Sequence, residues 1–255
     1  MCLHCLKLRG INFTIFGAKK SAEKRTSNLE LIALIPAYRP DSNLLSIVRS
    51  ILKGSFSTVV VINDGSEPKY NAIFRPLSKM ENVDVILHAI NLGKGAALKS
   101  GINHICNKWD GDVGIVTVDA DGQHKISDIN NVATELEQNS GSLILGSRNF
   151  TGEVPFKSQI GNNLTRYLMR TIHGLKLSDS QTGLRGMTSE LAKVFLNIRS
   201  NRYDFELDML LLTKNVGVTL KEIQIQTVYI DNNRSSHFNP IFDSAKIYFS
   251  LFRFA

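Results

Sequence analysis

The sequence predicts an α/β domain built on a mostly parallel sheet flanked by helices. Short apolar runs rich in β-branched residues recur at Leu31–Ile35, Thr58–Ile62, Val83–Leu87 and Ile115–Val118. Each is the length of a buried strand and is bounded by turn residues. Helical segments lie between them, which makes βαβ units. A third observation places a site. The segments that follow these strands carry Pro36-Ala37-Tyr38, Asp64, Gly93-Lys94-Gly95 and Asp119/Asp121, and ligands of such sheets bind off the carboxyl ends of the strands.

At 255 residues, with 43% hydrophobic and 21% charged residues, the chain can bury one sizeable core with appendages. No run of eighteen uninterrupted apolar residues occurs, so no segment reads as a helix spanning a bilayer. A net charge of +7 suggests a polyanionic partner: nucleic acid, anionic lipid or a phosphorylated substrate. Nucleic acid is disfavoured, because no docking motif or interleaving of aromatic and basic residues accompanies the charge. Cys2 and Cys5 have metal-like spacing, but Cys106 is the only other thiol and no second pair closes a zinc site. Without a disulfide framework, a reducing compartment is the expectation.

Residues 1–28 form a basic extension in which Lys7, Arg9, Lys19, Lys20, Lys24 and Arg25 face only Glu23. Its apolar patch, Ile11 to Phe16, is too short and broken for a signal peptide. Two readings stay open, a leader outside the fold and a basic segment resting on anionic lipid.

The first strand stops at Pro36. Asp41 or Ser42 can cap a helix carrying Leu44, Leu45, Ile47, Val48, Ile51 and Leu52, which Gly54 ends. The second strand runs into Asn63-Asp64-Gly65-Ser66. The third is followed by Asn91-Leu92-Gly93-Lys94-Gly95 and a helix from Ala96 to about Ile105. Leu98 stands where the third glycine of a dinucleotide fingerprint belongs, and no phosphate loop of the Walker type is present. The fourth strand ends in Asp119-Ala120-Asp121-Gly122-Gln123. Two carboxylates one residue apart crowd negative charge and suit a hard divalent cation, Mg²⁺ or Mn²⁺, that also takes phosphate oxygens.

The segments L-I-P-A-Y, V-V-I-N-D-G-S, N-L-G-K-G-A-A-L-K-S-G and V-D-A-D-G-Q-H, in this order, resemble the family 2 glycosyltransferases. Within that family the chain is most similar to the polyprenyl-phosphate group typified by dolichol-phosphate mannose synthase. The resemblance covers about Leu29 to Pro240. It implies the glycosyltransferase A fold, a nucleotide-sugar donor and inversion at the anomeric carbon. It further implies that Pro36, Ala37 and Tyr38 border the nucleotide base and that Asp64 bonds the base or ribose. Gly93 and Lys94 join the nucleotide-sugar site, Asp119 sits near ribose and metal, and Asp121 with Gln123 holds the metal on the diphosphate. Relatives commonly read P-A-Y-N-E in the first loop, whereas Arg39, Pro40 and Asp41 follow Tyr38 here.

In the second half, Ser127 can cap a helix through about Glu137, and Leu143–Leu145 reads as a strand leading to Gly146-Ser147-Arg148. Arg148 at a strand end suits a phosphate clamp, because guanidinium matches phosphate oxygens in a bidentate fork. A helical pattern around Ile160 to Ile172 carries Arg166 and Arg170, and Lys157 before it suits an acceptor phosphate. Asp179 to Gly186 resembles the family's acceptor-side loop, with Gln181 and Thr182 lining the pocket. Tyr203 to Asp208 opens a further helix, and acids in a first turn are favoured by the helix dipole. The resemblance places Glu206 and Asp208 beside the sugar. Val218–Val228 is strand-rich, and Arg234 and His237 follow in a segment that resembles a loop closing over the diphosphate. Residues 239–255 read as an amphipathic helix for the core or the membrane interface.

These features predict a metal-dependent hexosyltransferase acting from GDP-mannose or a UDP-hexose onto polyprenyl phosphate. The catalytic domain spans residues 29–238 and works peripherally at the cytoplasmic membrane face, with a membrane protein as a further candidate partner. The catalytic set is Asp121, Arg148, Glu206 and Asp208. Two alternatives are a family 2 transferase acting on a sugar hydroxyl of a polysaccharide and a non-catalytic nucleotide-sugar-binding protein.

Overall fold

The computed structural model describes residues 29–148, 165–167 and 169–226. Strands β1 (Leu31–Ala37), β2 (Thr58–Asn63), β3 (Val83–Leu87) and β4 (Gly114–Thr117) alternate with helices α1 (Asn43–Leu52), α2 (Asn71–Leu77) and α3 (Lys94–Lys108). Then come α4 (Ile126–Gln138), β5 (Ser142–Arg148), β6 (Arg185–Thr188), α5 (Ser189–Phe195), α6 (Asp204–Asn215) and β7 (Thr219–Ile225). Residues 169–173 are helical as well. The basic extension 1–28, the segment 239–255, Lys157, Arg234 and His237 lie outside the described residues.

The four sequence-predicted strands stand where the apolar runs place them. All six residues of β2 are buried, because a parallel sheet covered on both faces hides alternate side chains on opposite sides. Alternation along β1 sorts the core. Ile32 and Leu34 join the cluster formed with α3, α5 and α6. Ala33 and Ile35 join the one formed with α1, α2 and α4. At the start of α1, the Asn43 amide donates to Asp41 Oδ1 at 2.8 Å. Ser127 does not cap α4, whose capping position is Lys125.

The seven strands are ordered β3-β2-β1-β4-β6-β5-β7. Pairing is parallel except at β6, which runs antiparallel to both β4 and β5. Arg185-Gly186-Met187-Thr188 has no apolar run to announce a strand, and the expectation here was a loop. The segment is a strand because neighbours on both sides supply its ladder, and all four residues are buried.

Two consequences of this topology position the site. First, β1 lies between β2 and β4, so the chain order reverses there, and sheets of this kind have their ligand crevice off the carboxyl ends of the strands at such a reversal, here β1 and β4. Second, β6 starts where β4 ends, with Arg185 opposite Thr117. The segment 179–184 therefore arrives at the crevice.

Helix α6 closes the crevice from the α3 side. The Ala96 amide donates to the Asn201 carbonyl at 3.0 Å, and a Cβ on Gly95 would stand 2.5 Å from Phe205 Cβ and 2.8 Å from the Asn201 carbonyl carbon. Gly95→Ala must therefore push the two helix starts apart. Overpacking of this kind costs about 1–3 kcal/mol, and a loss in that range is expected in denaturant melts of the variant.

Candidate active site

The site is built from the starts of α3 and α6, the turn after β4 and the segment before β6. Asp64 organises the first of these. Its Oδ1 accepts from the Leu92 amide at 2.9 Å and contacts His88 Nδ1 at 2.7 Å, while Oδ2 accepts from the Gly93 amide at 2.9 Å. Asp64 is 3% exposed. It was expected on the base or ribose; here its carboxylate is spent on the backbone of the segment entering α3. Gly93 can adopt φ +103° only because it lacks a Cβ, and Lys94 follows it directly.

Lys94 lies at the centre of the cluster. Its Nζ is 2.7 Å from Asp119 Oδ1 and 2.9 Å from Glu206 Oε2. Burial works against its charge, but the two carboxylates outweigh burial and hold its pKa well above the ordinary lysine value. Asp119 shows the complementary effect. Burial alone would raise its pKa, yet Lys94 and His124 hold it far below the usual carboxylate range. Asp121 goes the other way, because burial and then the charge of Asp119 raise it. Its Oδ1 accepts from the Gln123 amide at 3.0 Å, which shapes the turn.

The segment before β6 packs directly on this pair. Thr117 Oγ1 donates to the Gly183 carbonyl at 2.7 Å, and a Cβ on Gly183 would overlap the Asp119 carboxylate. Beneath it lies Arg185, 1% exposed. Its Nε donates to the Thr182 carbonyl at 3.0 Å and its Nη1 to the Glu206 carbonyl at 2.5 Å, tying the loop to α6. Burial lowers the Arg185 pKa against the opposing charges of Glu206, Asp179 and Asp119.

Several expected site residues take other work. Arg148 forms a two-pronged pair with Asp179, Nε–Oδ2 at 2.5 Å and Nη2–Oδ1 at 3.0 Å; the arginine expected on an acceptor phosphate is tied here to the segment before β6. Asp208 is fully buried with Ser200 Oγ at 2.7 Å, so it does not line the crevice beside Glu206. Thr182 is 2% exposed and its Oγ1 accepts from the Leu184 amide, so its hydroxyl shapes the loop. Gln181 is half-buried, its amide bonded to Asp179. Pro36 and Ala37 close β1, and Tyr38 is half-buried with the Arg39 guanidinium 4.8 Å from its ring centre. Arg39 also pairs with Glu67.

Three residues of the cluster had been given no individual role from the sequence. Gly183 and Arg185 stood in the motif read as a loop, and Arg185 opens a strand that was not foreseen. His124, next to Gln123, brings Nε2 to 3.4 Å from Asp119 Oδ2, and its buried Nδ1 has no hydrogen-bond partner among the described residues.

The donors fit a hard divalent cation. Asp119 and Asp121 offer carboxylate oxygens whose mutual repulsion a cation would relieve. Among the described residues no three His, Cys, Asp or Glu side chains gather as a complete metal set. Mg²⁺-type sites commonly use one or two carboxylates and take further ligands from substrate phosphates.

Paired aspartates and a buried lysine thus meet at the sheet's switch point, off the carboxyl ends of β1 and β4. The family model described as "Glycosyl transferase family 2" matches residues 32–195, and the chain belongs to that family. It is 31% identical over 227 residues to an uncharacterised protein of Methanocaldococcus jannaschii, covering 87% of this chain and 90% of that one. It is 26% identical over 236 residues to the UDP-N-acetylglucosamine–dolichyl-phosphate N-acetylglucosaminyltransferase of Methanococcus voltae, covering 86% and 93%. It is 25% identical over 244 residues to the dolichyl-phosphate β-glucosyltransferase of Drosophila melanogaster, covering 83% and 71%. Among solved structures, glucosyl-3-phosphoglycerate synthase from Mycobacterium tuberculosis, in complex with Mn²⁺, UDP and glucosyl-3-phosphoglycerate, superposes with a TM-score of 0.67 at 15% identity. That match covers 89% of this chain and 80% of the other. The fold is the glycosyltransferase A fold.

The two aspartates should respond oppositely to neutralisation. A depressed pKa means that Asp119 adds stability that is fully present above the ordinary carboxylate pKa of about 3.9 and is lost progressively only as pH falls below it towards the depressed folded value. A raised pKa means that ionised Asp121 costs stability. Without divalent metal, Asp119→Asn is expected to lose about 1–3 kcal/mol near neutral pH. Asp121→Asn should raise the thermal midpoint by a few degrees. Thermal melts between pH 4 and 8 check both signs.

Proposed function

We propose that this family 2 glycosyltransferase moves a hexose, with inversion, from a nucleoside diphosphate sugar to the phosphate of a polyprenyl phosphate. The observation that carries this reading is the contact of Lys94 with Asp119 and Glu206 beside Asp121. It gathers an ammonium and paired carboxylates where a leaving diphosphate needs positive charge. Choice of a lipid phosphate acceptor is supported by the relatives named for dolichyl-phosphate transfer, which align over most of this chain.

Asp119 and Asp121 would hold Mg²⁺ or Mn²⁺, with Gln123 and His124 alongside. When bound, the ion supplies charge neutralisation for the departing diphosphate. Pro36, Ala37 and Tyr38 border the nucleotide, and Lys94 meets its phosphates. The Arg148–Asp179 pair braces the loop that carries Gln181, and in this reading that loop lines the acceptor's side of the site. A phosphate monoester has its second pKa near about 6 and is mostly a dianion at neutral pH. It attacks the anomeric carbon with little need of a general base, and catalysis rests on positioning.

A hydroxyl acceptor would need a free base, and Glu206, the acid facing the crevice, is engaged by Lys94. That weighs against transfer to a polysaccharide. No helix among the described residues is long and apolar enough to cross a membrane. A lipid phosphate acceptor, as in the relatives named for dolichyl-phosphate transfer, would bring the domain to a membrane surface, which we assign to the cytoplasmic face.

The test is transfer of radiolabel from UDP-N-acetylglucosamine, UDP-glucose and GDP-mannose into organic-extractable lipid, with Mn²⁺ and polyprenyl phosphate. Asp121→Ala is expected to lower transfer at least about 100-fold, near 2.7 kcal/mol of transition-state stabilisation. Glu206→Gln should cost much less than loss of a general base. Donor hydrolysis without lipid labelling would count against the acceptor, and a fully active Asp121→Ala would sink the metal-site assignment.

A further inference from the structure

We propose that Lys94 is an exchangeable counter-cation for Asp119: it holds the first metal-binding carboxylate until a nucleoside diphosphate arrives, and so makes metal binding depend on the nucleotide. This rests on the reading that Asp119 and Asp121 serve a nucleoside diphosphate sugar.

The geometry supplies the competition. The Lys94 ammonium bonds Asp119 Oδ1 at 2.7 Å and Glu206 Oε2 at 2.9 Å. These are charge-assisted contacts, and its side chain is only 19% exposed. A divalent ion reaching Asp119 meets a unit positive charge already on that carboxylate, and two cations this close repel strongly in a partly buried site. Metal alone must therefore drive the ammonium from Asp119 toward Glu206 or solvent, losing one ion pair. A diphosphate offers the ammonium a new anionic partner and at the same time completes the metal's ligand set.

The anchor and the moving part are separable. Asp64 fixes the backbone through the Leu92 and Gly93 amides, and the Ala96 amide is bonded to Asn201. The start of α3 therefore stays in place while a four-carbon stem with free rotors swings. Glu206, 7% exposed, keeps the lysine near the crevice during the exchange. By linkage, what metal and nucleotide do to one another's affinity is reciprocal.

The test is titration of Mn²⁺, followed by electron paramagnetic resonance of the free ion, on wild type, Lys94→Gln and Lys94→Arg. Each is measured alone and with saturating UDP or GDP. Without nucleotide, Lys94→Gln is expected to bind Mn²⁺ about fivefold more tightly or better, Lys94→Arg like wild type, and the gain from nucleotide should shrink in the Gln variant alone. If Lys94→Gln unfolds early, its Mn²⁺-induced rise in thermal midpoint is read instead and should exceed that of wild type. A Gln variant whose metal affinity is unchanged or weaker, with nucleotide-stimulated binding intact in wild type, overturns the inference alone. Wild type that gains no Mn²⁺ affinity from either nucleotide overturns the underlying reading and the inference with it.

Discussion

The ammonium of Lys94 between Asp119 and Glu206 is the contact on which the site depends. Three chain segments far apart in sequence meet there, and each brings a charge that could not be buried alone. Remove the lysine, and two carboxylates face one another with Asp121 close by. Remove either carboxylate, and the lysine is left partly desolvated. The site is therefore held in register by the same charges that would act on a diphosphate.

Much of the surrounding structure serves to bring those charges together. Asp64 at the end of β2 clamps the segment before α3, and Gly93 and Gly95 let that helix start lie against α6. On the other side, antiparallel β6 delivers Gly183 onto Asp119, and Arg185 ties the loop to the first turn of α6 from beneath. Buried Asp179 engages Arg148 and the Gln181 amide, so the acceptor-side loop is braced from within.

The strands that build the switch point were legible because a buried parallel strand writes itself as an unbroken apolar run. Asp119 and Asp121 were placed by the same strand end, and it was the motifs around them, not the pair alone, that marked them as candidates. The individual duties were less legible. Asp64, Arg148 and Asp208 are polar residues near strand or helix ends, and sequence reading sent each toward a ligand. In the folded chain each is engaged by a backbone amide or a side-chain partner. A buried polar group must be satisfied by whatever is nearest, and nearness across tens of residues is invisible in a linear pattern.

By itself, the sequence determined the α/β class and the positions of the first four strands along the chain, and it put the candidate site residues just after those strands. These follow from local apolar periodicity and turn chemistry. Only the tertiary structure decided that Arg185-Gly186-Met187-Thr188 is an antiparallel strand, that Glu206 meets Lys94 while Asp208 is fully buried against Ser200, and that Lys94 is the partner of Asp119. Those outcomes depend on which segments pack side by side, a balance of burial and charge between residues distant in the chain.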